Sequence, residues 1–179
     1  MEYEISPDYM PISPRALRTD TTVGCDIYIL AKTSIEVRFV LYCKSDVVFD
    51  ESKKLMLLSQ GIKSLFIKKE EQKVFFDYLE NNFQLIITDT SIPPEERSRI
   101  VHSAATNLVK DLYNDPRSGS IERTKTFAHN MVDYVLKDTK AAESLIDIAV
   151  HEYYTYTHSV NVAAVGTCLG RILVWEWQT

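Results

Sequence analysis

The side chains best suited to chemistry gather late in the chain, where His151, Glu152 and His158 lie close together. His158 is followed by Val162, Val165 and Leu169, apolar positions that recur at helical spacing. That spacing places His158 on the apolar stripe, so its imidazole is expected to point at whatever the helix packs against. A buried imidazole needs partners for both nitrogens. It is then either a satisfied core histidine or a metal ligand, with Glu152 one and a half turns earlier as a second donor. His151 reads as part of a solvated helix start, and His102 and His129 as surface or interfacial residues. Arg15 and Arg18 are two guanidiniums able to stack on a planar ring and grip phosphate. Their plainer reading is surface charge. Cys25, Cys43 and Cys168 are far apart and show no CxxC spacing, so a zinc site lacks support. No Ser/His/Asp or Cys/His nucleophile arrangement is suggested by spacing. The glycines are too scattered for a phosphate-cradling loop.

The elements that must position these residues change character along the chain. Pro7, Pro11 and Pro14 make the first 24 residues extended and irregular, with Met10-Pro11-Ile12 as a short edge strand. Strands are expected at 25–30, 37–43, 47–49 and 64–67, with 47–49 pairing back on 37–43 as a hairpin. Asp50 or Ser52 caps a helix reaching Gln60, and Gly61 ends it. From Lys69 the period becomes helical. Phe75, Tyr78, Leu79 and Phe83 mark one helix running to about Ile87. Thr90 or Ser91 caps the next, with Pro93 and Pro94 in its first turn and Val101, Ala104, Ala105, Leu108, Val109 and Leu112 on its apolar face. Ser120 caps a third, Thr139–Val150 is a fourth, and the His158 helix is the fifth.

Composition sets the class. The chain has 179 residues, 45% hydrophobic, which suffices for a core and argues against disorder. A net charge of −5 argues against a nucleic-acid partner. No apolar run approaches the roughly 20 residues of a membrane span. The first ten residues are acidic without an apolar core, so no secretory signal is expected. Free thiols fit a reducing cytoplasm.

The run Tyr154-Thr155-Tyr156-Thr157-His158-Ser159-Val160-Asn161-Val162-Ala163 resembles the opening of HD-GYP domains. These are metal-dependent phosphohydrolases that degrade the bacterial second messenger cyclic di-GMP. The resemblance implies that His158 takes the place of the first ligand of an iron or manganese centre, and that the family's carboxylate falls near Glu152 or Tyr153. A looser similarity to the N-terminal domains preceding such enzymes runs through Leu17-Arg18, Asp26-Ile27-Tyr28, Arg38–Tyr42 and Gly61–Ile67. The family's His-Asp pair and Gly-Tyr-Pro loop are absent from the sequence. Residues 171–179 do not resemble the family's continuation and read as a truncated, frame-shifted or expression-derived end. Arg15-Ala16-Leu17-Arg18 also resembles the paired arginines of PilZ cyclic di-GMP receptors, whose second signature is missing.

The expectation is an α+β chain. Residues 1–68 form a small antiparallel β-rich regulatory domain, 69–150 a helical connector, and 151–179 the first helix of a truncated HD-GYP-type domain, with about five helices bundled after the β-rich domain. Such a chain is a cytoplasmic, non-catalytic regulatory part of a phosphodiesterase. Its partners are a second copy of itself and the missing catalytic half. The alternatives are a stand-alone dimeric adaptor or a weak cyclic-dinucleotide-binding domain.

Overall fold

Residues 7–32, 37–151 and 155–176 are described by the computed structural model. They fall into two units, Met1–Asn82 and Phe83–Thr179, so the helix after residue 69 groups with the strands. The α+β architecture follows the residue pattern, with an antiparallel N-terminal sheet and then helices.

In the first unit, β1 (Tyr9–Ile12), β3 (Ile27–Lys32), β4 (Val37–Cys43) and β6 (Leu65–Lys68) form one antiparallel sheet in the order β1-β6-β3-β4. Pro11 lies in the edge strand β1, where a residue without an N–H is tolerated. Alternation sends Ile12, Ile27, Leu65 and Ile67 into the core. The hairpin expected between residues 37–43 and 47–49 does not form. Instead β5 (Val48–Phe49) pairs with β2 (Thr21–Thr22), and Asp20 donates its N–H to the Phe49 carbonyl at 2.9 Å. The Lys44–Val47 turn is held from the start of the neighbouring strand, because Asp26 Oδ1 accepts the Ser45 N–H at 2.8 Å.

α1 (Glu51–Ser59) starts at an Asp50 cap whose carboxylate accepts the Lys53 N–H at 2.8 Å. It ends before Gly61, whose φ of +66° suits a residue without a Cβ. The long helix expected from Lys69 to about Ile87 is broken into a 3₁₀ turn (Lys69–Glu71), α2 (Gln72–Asn81) and α3 (Phe83–Thr88). Asn82 caps the end of α2: its backbone N–H makes the last helical bond to the Tyr78 carbonyl at 3.1 Å, and its side-chain amide donates to the same carbonyl at 2.9 Å. Phe75, Tyr78, Leu79 and Phe83 are all buried, as their spacing predicts.

The second unit contains α3, α4 (Pro94–Asn114), α5 (Ser118–Lys137), α6 (Thr139–His151) and α7 (Thr155–Glu176). α4 begins at Pro94 with Pro93 as its cap residue, and the expected caps Thr90 and Ser91 lie in the preceding turn. α5 starts two residues before its expected Ser120 cap. Val101, Ala104, Ala105 and Leu108 of α4 face the core, with Phe127, Met131 and Val135 of α5 and Ala142, Leu145 and Ala149 of α6. α7 packs against α6 and α4. Among the described residues no helix is long and apolar enough to cross a membrane.

Candidate functional site

His158 lies in the first turn of α7, and its side chain is exposed rather than turned into the core. The stripe to which its spacing assigns it is real, but it faces outward. Val162 is 59% and Leu169 54% exposed, and Ile172 and Leu173 continue the same side. The face that packs inward is displaced by one residue, about 100° around the helix. It consists of Thr157, Val160, Asn161, Ala164 and Cys168. Their small side chains let α7 approach α6 and α4 closely. The outward stripe and the end of α6 border an open, mostly apolar groove of about 400 Å³, lined by Ala149, Val150, Asn161, Val162, Val165, Gly166 and Leu169.

The inward face carries a hydrogen-bonded polar chain. Asn161 donates its amide to the Ala149 carbonyl of α6 at 3.1 Å. Its Oδ1 lies 2.8 Å from Nε2 of His102 on α4, which is therefore the donor. His102 is 3% exposed, so the expectation of a surface or interfacial residue is corrected. The sequence does carry a signal for this, since His102 stands three residues before Ala105 and seven before Val109 and so lies at the edge of the α4 apolar stripe. His129 and His151 are exposed, but His151 is the last residue of α6 and not part of a helix start. His151 Nδ1 sits 2.7 Å from the Asp147 carbonyl.

A second buried polar group is not evident from residue type. Arg97, four residues before Val101 on the same stripe, is buried on α4. Its guanidinium reaches Asp138 Oδ2 at 2.8 Å, the Tyr134 hydroxyl at 3.2 Å and the Asp89 carbonyl at 3.1 Å. Asp138 also accepts the N–H groups of Lys140 and Ala141 at the start of α6. These bonds of Arg97 all end on protein oxygens, which defines a structural joint rather than a ligand site.

The other expected site residues belong to the chain's first unit or lie outside the described residues. Glu152 is in the latter group. Arg18 is only 8% exposed, not surface charge. Its backbone N–H donates to the Tyr78 hydroxyl at 2.7 Å, and its guanidinium donates to the Arg15 carbonyl. Arg15 is half-buried. The three thiols are buried. Burial, reinforced by the carboxylates of Glu71 and Asp26, pushes the Cys25 thiol up to about 12. Burial also raises Cys43 and Cys168. Such thiols are poor nucleophiles and poor ligands.

Two transition metals sharing a bridging water need several nitrogen and oxygen donors from several helices. Among the described residues no group of three or more His, Cys, Asp or Glu side chains is placed to hold a metal. The residues described do not fit a complete iron or manganese centre.

No known family pattern matches the chain, and no curated protein matches it. Among solved structures it is similar to Bd1817, described as a HDG"Y"P protein from Bdellovibrio bacteriovorus, with 20% sequence identity and a TM-score of 0.49. The match covers 93% of this chain and 54% of that one, so the chain spans about half the length of that protein.

Proposed function

We propose that the chain is the regulatory N-terminal region of a bacterial HD-GYP-type phosphohydrolase acting on cyclic di-GMP. In this reading residues 1–68 are the regulatory domain, 69–150 the connector and 151–179 the first helix of the catalytic domain. The chain alone is non-catalytic, cytoplasmic and homodimeric. The observation that carries the reading is the run Tyr154–Ala163, with a histidine at the position of the family's first metal ligand. The place of His158 on α7 is compatible with it. An exposed imidazole on an apolar outward face is accessible to further helices that bring the remaining donors and cover Val162 and Leu169. Glu152, Arg15 and Arg18 have weaker claims as ligands or as contacts to a cyclic dinucleotide.

The test is the coding sequence beyond residue 170, read in all frames. A downstream His-Asp pair and Gly-Tyr-Pro loop support the proposal, and their absence favours a stand-alone dimeric adaptor. A metal assay complements it. The purified chain is expected to bind iron or manganese weakly and substoichiometrically and to leave cyclic di-GMP intact. Tight stoichiometric metal lost in His158→Ala, or hydrolysis by the chain, would overturn the non-catalytic reading.

A further inference from the structure

α7 has two faces at helical spacing, and by hydrophobicity alone the wrong one is buried. The inward set is Thr157, Val160, Asn161, Ala164 and Cys168, while Val162, Leu169, Ile172 and Leu173 face out with His158. Burial of apolar area is non-directional and scales with area. Turning the helix by about 100° would bury larger side chains, so area does not explain the observed setting. The polar chain does. Asn161 bonds both neighbours of α7, the Ala149 carbonyl on α6 and the His102 imidazole on α4. The same turn would strand an amide, an imidazole and a carbonyl that are now satisfied, and a buried unsatisfied polar group is expensive. Buried polar pairs of this kind fix register in helical assemblies.

We infer that the His102–Asn161 hydrogen bond selects the rotational setting of α7 and thereby the surface that the helix presents, including His158. The inference concerns the helix alone and does not depend on the phosphohydrolase reading.

Thiol labelling of the full chain carrying Val162→Cys as an outward reporter tests it. In that background the thiol introduced at position 162 should label rapidly with a maleimide, and Cys168, 2% exposed, slowly. Sites are resolved by fragmentation mass spectrometry, with helicity followed by circular dichroism. Asn161→Leu should accelerate Cys168 by about tenfold or more and slow the reporter thiol. That single change leaves His102 buried without its partner and risks unfolding the chain. His102→Leu/Asn161→Leu is therefore the second variant, which removes both polar groups together. It should fold and show the same shift. A folded double variant with the original labelling pattern would overturn the inference, because apolar packing would then suffice. Failure of the double variant to fold would also overturn it, assigning the pair to stability instead of selection.

Discussion

Nη2 of Arg97 lies 2.8 Å from Oδ2 of Asp138, joining the first turn of α4 to the residue that caps α6. The arginine is buried and the carboxylate partly exposed. Loss of the carboxylate leaves a buried guanidinium short of its charged partner and two α6 N–H groups without an acceptor. Asp138→Ala should therefore destabilise the chain by about 2–3 kcal/mol, below the cost of breaking a fully buried pair. Asp138→Asn, which retains capping, should cost less. Urea unfolding measures both: equal losses would show that the cap contributes nothing, and a neutral Asp138→Asn would show that the charge contributes nothing.

Tyr78 does for the first unit what Asp138 does for the second. Its hydroxyl accepts the Arg18 N–H at 2.7 Å and lies 3.1 Å from Thr21 Oγ1, which itself donates to the Arg18 carbonyl at 2.7 Å. Tyr78→Phe keeps the ring in the core and orphans a buried backbone N–H. The expected loss is about 1–2 kcal/mol in urea unfolding. A neutral Tyr78→Phe would mean that water replaces the hydroxyl.

Element types are legible in the sequence because their periods are unambiguous. Val37, Phe39 and Leu41 alternate as a strand should, and Phe75, Tyr78, Leu79 and Phe83 recur as a helix should. The choice between equivalents is what local pattern leaves open. On α7 both stripes are apolar enough to be read as the core, and the deciding partner of Asn161 is His102, 59 residues away. Val48 and Phe49 can pair with β4 or with β2, and the decision rests on Asp20 and Asp26 contacts that no local pattern encodes. Arg97 and His102 look like surface residues by charge and polarity, yet their position on a buried stripe decides where they go. The metal question turns on the same ambiguity, since spacing assigns His158 to a stripe that faces out.

Acid should act on the α1 cap. Hydrogen bonds from the Lys53 side chain, the Ser52 hydroxyl and the Lys53 N–H hold the Asp50 carboxyl well below its ordinary value of 3.8. A carboxyl depressed in the folded state contributes stability above its unfolded pKa and loses it as pH falls through the folded value. The difference in Tm between the wild type and Asp50→Asn should thus be largest near neutral pH and shrink below about pH 4. It should also fall with added salt, because the group is exposed. A gap that stays constant from neutral to acid pH would show that the charge is irrelevant to the cap.

Self-association through α7 gives the last prediction. Leu169 is half-exposed beside Val162 and Val165, along the groove that α6 and α7 border. Since the side chain is not in the core, Leu169→Glu should leave helicity intact and change stability by no more than about 0.5 kcal/mol. It should, however, place a carboxylate in the middle of the apolar strip, where burial against a second copy would strip it of water. Light scattering should then show a dimeric wild type and a monomeric variant. The control is Arg171→Ala, which removes the bond from its guanidinium to Thr139 Oγ1 on α6 without touching the apolar strip, and should leave the dimer in place. A wild type that is monomeric at high concentration, or a Leu169→Glu chain that still dimerises, would remove this face of α7 from the assembly.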